Sequence, residues 1–191
     1  MLENARQIIM GCWLLYGGVW LVTAFRLKPT ARVSDSRSRI WELLILVCAA
    51  ELLFGQARRI AQLDARWLPA LAQLVGLGIA LTAAGAVFSI VARLYLGRNW
   101  SATATIRQGH ELIRGGPYGL VRHPIYTGTL IAAIGTAVAL GEVRDLLALP
   151  LVIVGFWLKA RSEERLLMSN FGDRYAAYRR EVRGAIIPYL L

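Results

Sequence analysis

The chain has 191 residues, of which 57 % are apolar and only 18 % charged, with a mean hydropathy of +0.50. A water-soluble fold of this size would leave much of that apolar material exposed, so lipid is its natural solvent. The net charge of +10 comes from basic residues scattered between apolar runs, with no separate basic domain, which points to membrane topology and anionic head groups and argues against nucleic acid.

In chain order, residues 2–6 lead into an apolar run at 8–25 with no small-residue cleavage site after it, so this run is expected to stay as a helix. Further apolar runs occupy 40–54, 68–92, 125–140 and 146–158. A helix rises about 1.5 Å per residue, so crossing about 30 Å of hydrocarbon takes about 20 residues. The last two runs are shorter than that. The polar turn Gly141-Glu-Val-Arg-Asp145 between them predicts a short helical hairpin extended by flanking residues, with a re-entrant hairpin as the alternative. Five, five and seven Lys and Arg residues fall in 26–39, 93–122 and 159–183, against one before the first run, three between the second and third, and one in the hairpin turn. The positive-inside rule then puts the N-terminus outside and the first set of connections in the cytoplasm. The expected fold is all-α: about five transmembrane helices in a single membrane-embedded domain over 1–191, with 1–96 holding the first three.

Two polar segments are too long to be plain connectors, 93–124 and the tail after 158, and both fall on the same expected side. The tail from 161 to 180 reads as a helix broken near Phe171-Gly172, with Asp173 a start signal for a second short helix. An amphipathic helix on the bilayer surface is its plainest reading. Cys12 and Cys48 lie inside apolar runs and suggest buried small hydrophobes, with neither a disulfide framework nor a metal site.

The stretch 109–128 holds both histidines of the chain, His110 and His123. Pro124 suits the first position of a helix, so Arg122, His123 and the first-turn N–H groups stand at a helix start, where a carboxylate is well held. Tyr126, three residues on, shares a face with His123. A capping or interfacial histidine is the competing account. In Lys159-Ala-Arg-Ser-Glu-Glu164 the glutamates either pair with Arg161 and Arg165 or present a carboxylate to a cationic ligand. Glu42 and Glu51 sit nine apart in an apolar run, on different helix faces.

Asn99-Trp100-Ser101, Gly109-His110-x-Leu112, Pro117-Tyr118, Arg122-His123-Pro124-x-Tyr126, Glu163-Glu164 and Phe171-Gly172-x-x-Tyr175-x-x-Tyr178 occur in an order and spacing that resemble the isoprenylcysteine carboxyl methyltransferase family, a relative of the phospholipid N-methyltransferases. The resemblance covers 97–188 and implies a membrane enzyme using S-adenosylmethionine, with the cofactor reaching the site from the cytosol and a lipophilic acceptor from the bilayer. It makes 97–191 the cofactor-binding catalytic half. By carry-over, His110 and Leu112 would hold the amino-acid end of the cofactor, Tyr118, Arg122, His123, Pro124 and Tyr126 would line the same pocket, and Glu163 and Glu164 would close it. Glu164 is the preferred ligand-facing carboxylate. The family pattern leads one to expect an arginine five residues before that glutamate to hold the substrate carboxylate. Lys159 stands there, a point charge in place of a two-pronged fork, with Arg161 as a possible substitute.

Methyl transfer to an acceptor that is already an anion needs alignment and exclusion of water more than acid–base groups. Lys159 or Arg161 would place the anion, and a neutral amine or thiol would need a base, for which His123 is the nearest candidate. The alternatives are a phospholipid N-methyltransferase or small-thiol methyltransferase, a nicotinamide-dependent reductase, and a non-catalytic membrane accessory protein. Gly76, Gly78 and Gly85 suggest a close-packing helix face, chiefly within the chain.

Overall fold

The computed structural model describes residues 1–24, 30–33, 36–55, 61–100, 105–107 and 111–188. Its helices are α1 (Leu2–Ala24), α2 (Ser36–Phe54), the single turn α3 (Ala61–Asp64), α4 (Ala72–Leu96), α5 (Pro124–Leu140), α6 (Val143–Phe171) and α7 (Asp173–Glu181). Short 3-10 turns fill Gly97–Asn99 and Gly116–Gly119.

Side-chain bonds fix the directions of the long helices. Arg6 near the start of α1 pairs with Glu142, the residue that caps the start of α6. Higher on α1, Trp13 Nε1 donates to Thr136 Oγ1 at 3.1 Å and the Tyr16 and Thr129 hydroxyls share a 2.9 Å hydrogen bond, so α5 runs antiparallel to α1. Arg93 near the end of α4 donates to the Thr23 carbonyl at the end of α1 (3.3 Å). Arg144 at the start of α6 donates to the Gly55 carbonyl just past α2 (2.6 Å), so α2 and α6 are antiparallel as well. The five long helices therefore alternate in direction, and the ends of α1 and α4 and the starts of α2 and α5 share one pole with α7.

The tightest packing is between α4 and α5, and small residues seven apart cause it. Gly78 and Gly85 face Gly135 and Gly128, and a Cβ on Gly85 would lie 2.4 Å from the Ala132 nitrogen. Without side chains in the way the two backbones approach closely, the usual device where lipid offers no hydrophobic drive for helices to associate. Thr82 and Ser89, fully buried in the same seam, return their hydroxyls to the carbonyls of Gly78 and Ile125 at 2.9 Å. The glycine face read in the sequence is thus an internal one at Gly78 and Gly85, while Gly76 meets nothing within 4 Å.

Outward faces are apolar. Leu14, Leu15, Leu21 and Val22 of α1 are each more than 60 % exposed, surface that suits lipid and is costly in water. Leu2–Thr23 and Ala72–Leu96 are long and apolar enough to cross a bilayer, and Pro124–Leu140 is a shorter apolar helix.

Two elements differ from the sequence reading. The expected short fifth helix and the first part of the tail are one 29-residue helix, α6, because nothing between Val143 and Phe171 stops it; Pro150 lies inside it. The break falls at Gly172, whose φ of +50° is a left-handed conformation open to glycine, and α7 starts at Asp173 as expected. The chain is also not purely α-helical. Thr30–Val33 (β1) pairs antiparallel with Thr105–Arg107 (β2), with Thr30 opposite Arg107 and Val33 opposite Thr105. Strands of three and four residues are too short for an alternating pattern to register in a sequence.

The α4–α5 seam yields a stability test. Gly85→Val should overpack it and cost about 1–3 kcal/mol or more, the usual penalty for forcing atoms into a filled core. Gly76→Val, with open space around it, should leave the melting temperature of the detergent-solubilised protein at or above the wild-type value. Equal losses in both variants would contradict the packing described.

Candidate active site at the polar pole of the bundle

Pro124 opens α5, and the two residues before it, Arg122 and His123, are pinned by the chain that returns after α7. The Arg122 N–H donates to the Gly184 carbonyl (3.0 Å) and the His123 N–H to that of Ala185 (2.8 Å). The Arg122 guanidinium gives Nη1 to the carbonyls of Val182 (2.7 Å) and Arg183 (2.6 Å) and Nε to Glu164 Oε1 (2.7 Å). Both partners of this ion pair are largely buried, at 7 % and 14 % side-chain exposure. Arg179 Nε stands 3.7 Å from the other Glu164 oxygen.

His123 sits between the two glutamates. Its Nδ1 is 3.4 Å from Glu163 Oε2 and its Nε2 3.5 Å from Glu164 Oε1. The imidazole stacks on Tyr126 (centroids 5.3 Å apart, planes at 3°), and Tyr126 stacks on Phe156 of α6 (4.8 Å, 6°). The Tyr126 hydroxyl donates to Glu163 Oε1 at 2.6 Å. The three-residue spacing of His123 and Tyr126 does place them on one face, as the helical repeat requires.

These charged groups lie at one pole of the bundle: His123 precedes α5, and the glutamates follow the first 20 residues of α6, about 30 Å of helix. Burial pushes the His123 pKa down, but hydrogen bonding and charge from Glu163 and Glu164 outweigh it and hold the imidazole above its ordinary value of 6.5. Burial likewise pushes both carboxyls up, and His123 overrides it in each. Glu163 ends below the usual carboxylate range with help from Lys159 and Tyr126, and Glu164 is brought down to about 2 with help from Arg122. Two cations and two anions thus neutralise one another in a desolvated cluster, as buried charges must.

The cluster forms one wall of a cavity that opens at this pole of the bundle. Of the residues expected at the site, Leu112, Tyr118, Arg122, His123, Tyr126 and Glu163 line it. His110 lies outside the described residues. Pro124 is fully buried at the start of α5 and supports the wall without forming it. Glu164, preferred in the sequence as the ligand-facing carboxylate, is drawn behind the wall onto Arg122, and Glu163 takes the cavity face. Lys159 is one helical turn before Glu163 and close enough to act on it electrostatically. Arg161 is exposed, with its guanidinium 4.1 Å from the centre of the Trp157 ring, so it points away from the cavity. Residues two apart in a helix are about 200° apart around its axis, which puts Arg161 opposite Glu163.

Sequence reasoning left Asn99, Trp100, Glu111, Tyr175 and Tyr178 off the site, yet all line the cavity. The two tyrosines were visible as the end of the last motif, but their helical spacing read equally well as an amphipathic surface. Instead they turn inward, and the Tyr178 hydroxyl donates to the Tyr118 carbonyl at 2.7 Å.

Comparison with known proteins shows the family and the fold. The sequence profile of the phospholipid methyltransferase family matches residues 74–174. A protein-S-isoprenylcysteine O-methyltransferase of Schizosaccharomyces pombe is 41 % identical over 78 residues, 40 % of this chain and 33 % of that one. The cobalt-zinc-cadmium resistance protein CzcN of Cupriavidus metallidurans is 32 % identical over 151 residues, 75 % of this chain and 60 % of its own. The solved structure of a eukaryotic intramembrane Ras methyltransferase, an isoprenylcysteine carboxyl methyltransferase, shares the fold, with a TM-score of 0.54 and 24 % identity over 81 % of this chain and 52 % of the other. The matched part of each relative is less than two thirds of its length. The resemblance read from the motifs is borne out by these relatives.

The ion cluster predicts both a cost and a pH dependence. Arg122→Met leaves Glu164 only its longer contacts to His123 and Arg179 and should destabilise the protein by about 1.5–3 kcal/mol, the worth of a hydrogen bond to a charged group. Because the folded-state pKa of His123 is raised, its contribution is complete below about pH 6.5 and is lost as pH rises through the raised value; that of Glu164 is present above its ordinary 4.5 and lost as pH falls toward 2. Thermal unfolding of wild type and His123→Gln across pH 5–9 should show a difference that is largest at the acid end and shrinks upward. A difference that grows with pH would contradict a charged imidazole.

Proposed function

The chain belongs to the phospholipid methyltransferase family, and from that premise we propose that it is an integral membrane methyltransferase that takes its methyl group from S-adenosylmethionine and gives it to a lipophilic acceptor, the carboxylate of an isoprenylcysteine-like compound being the leading choice. The observation that carries this reading is the Glu163 carboxylate. It is held deprotonated on the wall of a cavity at the membrane edge, between His123 and the stacked aromatic rings of Tyr126 and Phe156.

The cavity fits the cofactor. Its walls mix aromatic and aliphatic side chains with a few polar groups, and the Glu163 carboxylate on one of them suits a cation. When bound, the cofactor supplies an electrophilic methyl carbon on a positively charged sulfur. Glu163 and the Tyr118 ring, both on the cavity wall, would accommodate that charge. Leu112 and its neighbours Glu111 and Ile113 line the cavity too. The Arg122–Glu164 pair braces the wall.

The state of His123 narrows the acceptor. Both ring nitrogens of His123 face carboxylates that raise its pKa, which counts against it as the free base an amine acceptor would need and favours an acceptor that arrives already ionised, a carboxylate over a phospholipid amine. Lys159 is the cation that would place it, because Arg161 is turned away over Trp157. The site falls within 97–191, the catalytic half. We infer five membrane crossings, with the N-terminus outside and the site and C-terminus cytoplasmic, from the alternation of helix directions and the excess of Lys and Arg at the site pole, and a prokaryotic inner membrane from the compact chain.

Calorimetric titration of the purified protein with S-adenosylhomocysteine and with NADPH should give binding of the first alone. Glu163→Gln should weaken S-adenosylmethionine at least about tenfold, equivalent to about 1.4 kcal/mol, and abolish transfer of a labelled methyl group to a prenylcysteine analogue. Binding of NADPH, of neither ligand, or full activity in Glu163→Gln would overturn the reading.

A further inference from the structure

Tyr175 is the most deeply buried polar side chain of the cavity wall. It has 0 % exposure, and its hydroxyl has no hydrogen-bond partner. Three residues later Tyr178 is buried almost as fully, at 3 %, but its hydroxyl is satisfied by the Tyr118 carbonyl. The two rings meet edge to face, with centroids 5.9 Å apart, on the same face of α7. Leaving a buried phenol unpaired is unfavourable, and buried hydroxyls otherwise almost always find a partner. An orphaned donor on a cavity wall points to a ligand that completes it.

We propose that the Tyr175 hydroxyl is a cofactor-binding group that donates a hydrogen bond to an oxygen of the methyl donor, either on its ribose or on its amino-acid carboxylate. The assignment rests on the methyl-transfer reading above and extends it to a residue of α7, whose last part lies beyond the family match at 74–174. Position selects the cofactor over the acceptor: α7 follows the long helix α6 past Gly172, on the polar side of the cluster, whereas an apolar acceptor reaches the cavity from the bilayer. Burial and the neighbouring Glu164 keep the phenol protonated, so the donor is present at every physiological pH.

The test uses the full chain in detergent, with Tyr175→Phe and Tyr178→Phe compared with wild type by thermal unfolding and by calorimetry with S-adenosylhomocysteine and with 5′-methylthioadenosine, which keeps the nucleoside but lacks the amino-acid end. Without ligand, Tyr175→Phe should melt at or above the wild-type temperature, because it removes an unpaired group, and Tyr178→Phe should melt lower, because it breaks a made bond. With ligand, Tyr175→Phe should bind S-adenosylhomocysteine about three- to tenfold more weakly, the worth of one hydrogen bond. An equal loss for 5′-methylthioadenosine assigns the contact to the ribose, and a loss confined to S-adenosylhomocysteine assigns it to the carboxylate. A Tyr175→Phe protein that binds both like wild type, or that loses stability without ligand as Tyr178→Phe does, overturns the proposal. Failure of the wild type to bind S-adenosylhomocysteine overturns the methyl-transfer reading itself and this assignment with it.

Discussion

A guanidinium taken out of water must have its donors met, and at Arg122 three separate parts of the chain are needed to do so. Glu164 comes from α6, and the Val182 and Arg183 carbonyls come from the segment that follows α7. Those partners are 42, 60 and 61 residues away along the chain, so the pair cannot form until α5, α6 and the C-terminal strap have all arrived. Once formed, it fixes the N–H groups of Arg122 and His123 against Gly184 and Ala185 and sets the plane of the imidazole. The interaction matters less for the net energy of the pair, which desolvation largely cancels, than for the penalty attached to every alternative arrangement.

That cluster is only as well placed as the helix it starts. His123 is held at the beginning of α5, and α5 is locked along α4 by the facing glycines Gly85 and Gly128, where a single extra carbon would collide with backbone. The seam runs along the apolar length of α4 and α5 and the cluster sits at the start of α5, so close helix packing is translated into position at that pole. The opposite pole is tied independently. Glu142 and Asp145 cap α6, Glu142 takes Arg6, and Arg144 takes Asp64. Two ionic layers with an apolar seam between them hold α6 in register over its length.

The apolar runs, their alternation and the order of the motifs could be read from the sequence because each depends on composition or on short spacing. Register could not. Whether Glu163 or Glu164 faces the cavity depends on how α6 is rotated against α5, and adjacent residues differ by about 100° around the helix. The rotation is decided by Phe156 stacking on Tyr126 and Glu164 reaching Arg122, contacts between residues 30 and 42 positions apart. The same rotation turns Arg161 outward onto Trp157. The inward turn of Tyr175 was hidden for another reason. A helix with tyrosines at every third position looks the same whether it lies on a bilayer or against a cavity, and only Gly172, by redirecting the chain, settles it for the cavity.

The charge state of the cluster then limits the chemistry. Arg122 pairs with Glu164, His123 stands between both glutamates, and the Glu163 carboxylate lines the cavity. That carboxylate is engaged, in the proposed reading, by the Tyr126 hydroxyl and by the sulfonium, not by a proton of the acceptor. In the proposed reading, ionisation of the acceptor is therefore a property of the acceptor itself. A carboxylic acid carried on a lipid meets this requirement in neutral water before it reaches the site, and an ammonium does not, because it must first lose a proton to something. In the same reading Lys159, one turn before Glu163 on α6, would receive that carboxylate, so that donor and acceptor would be recognised by opposite charges four residues apart.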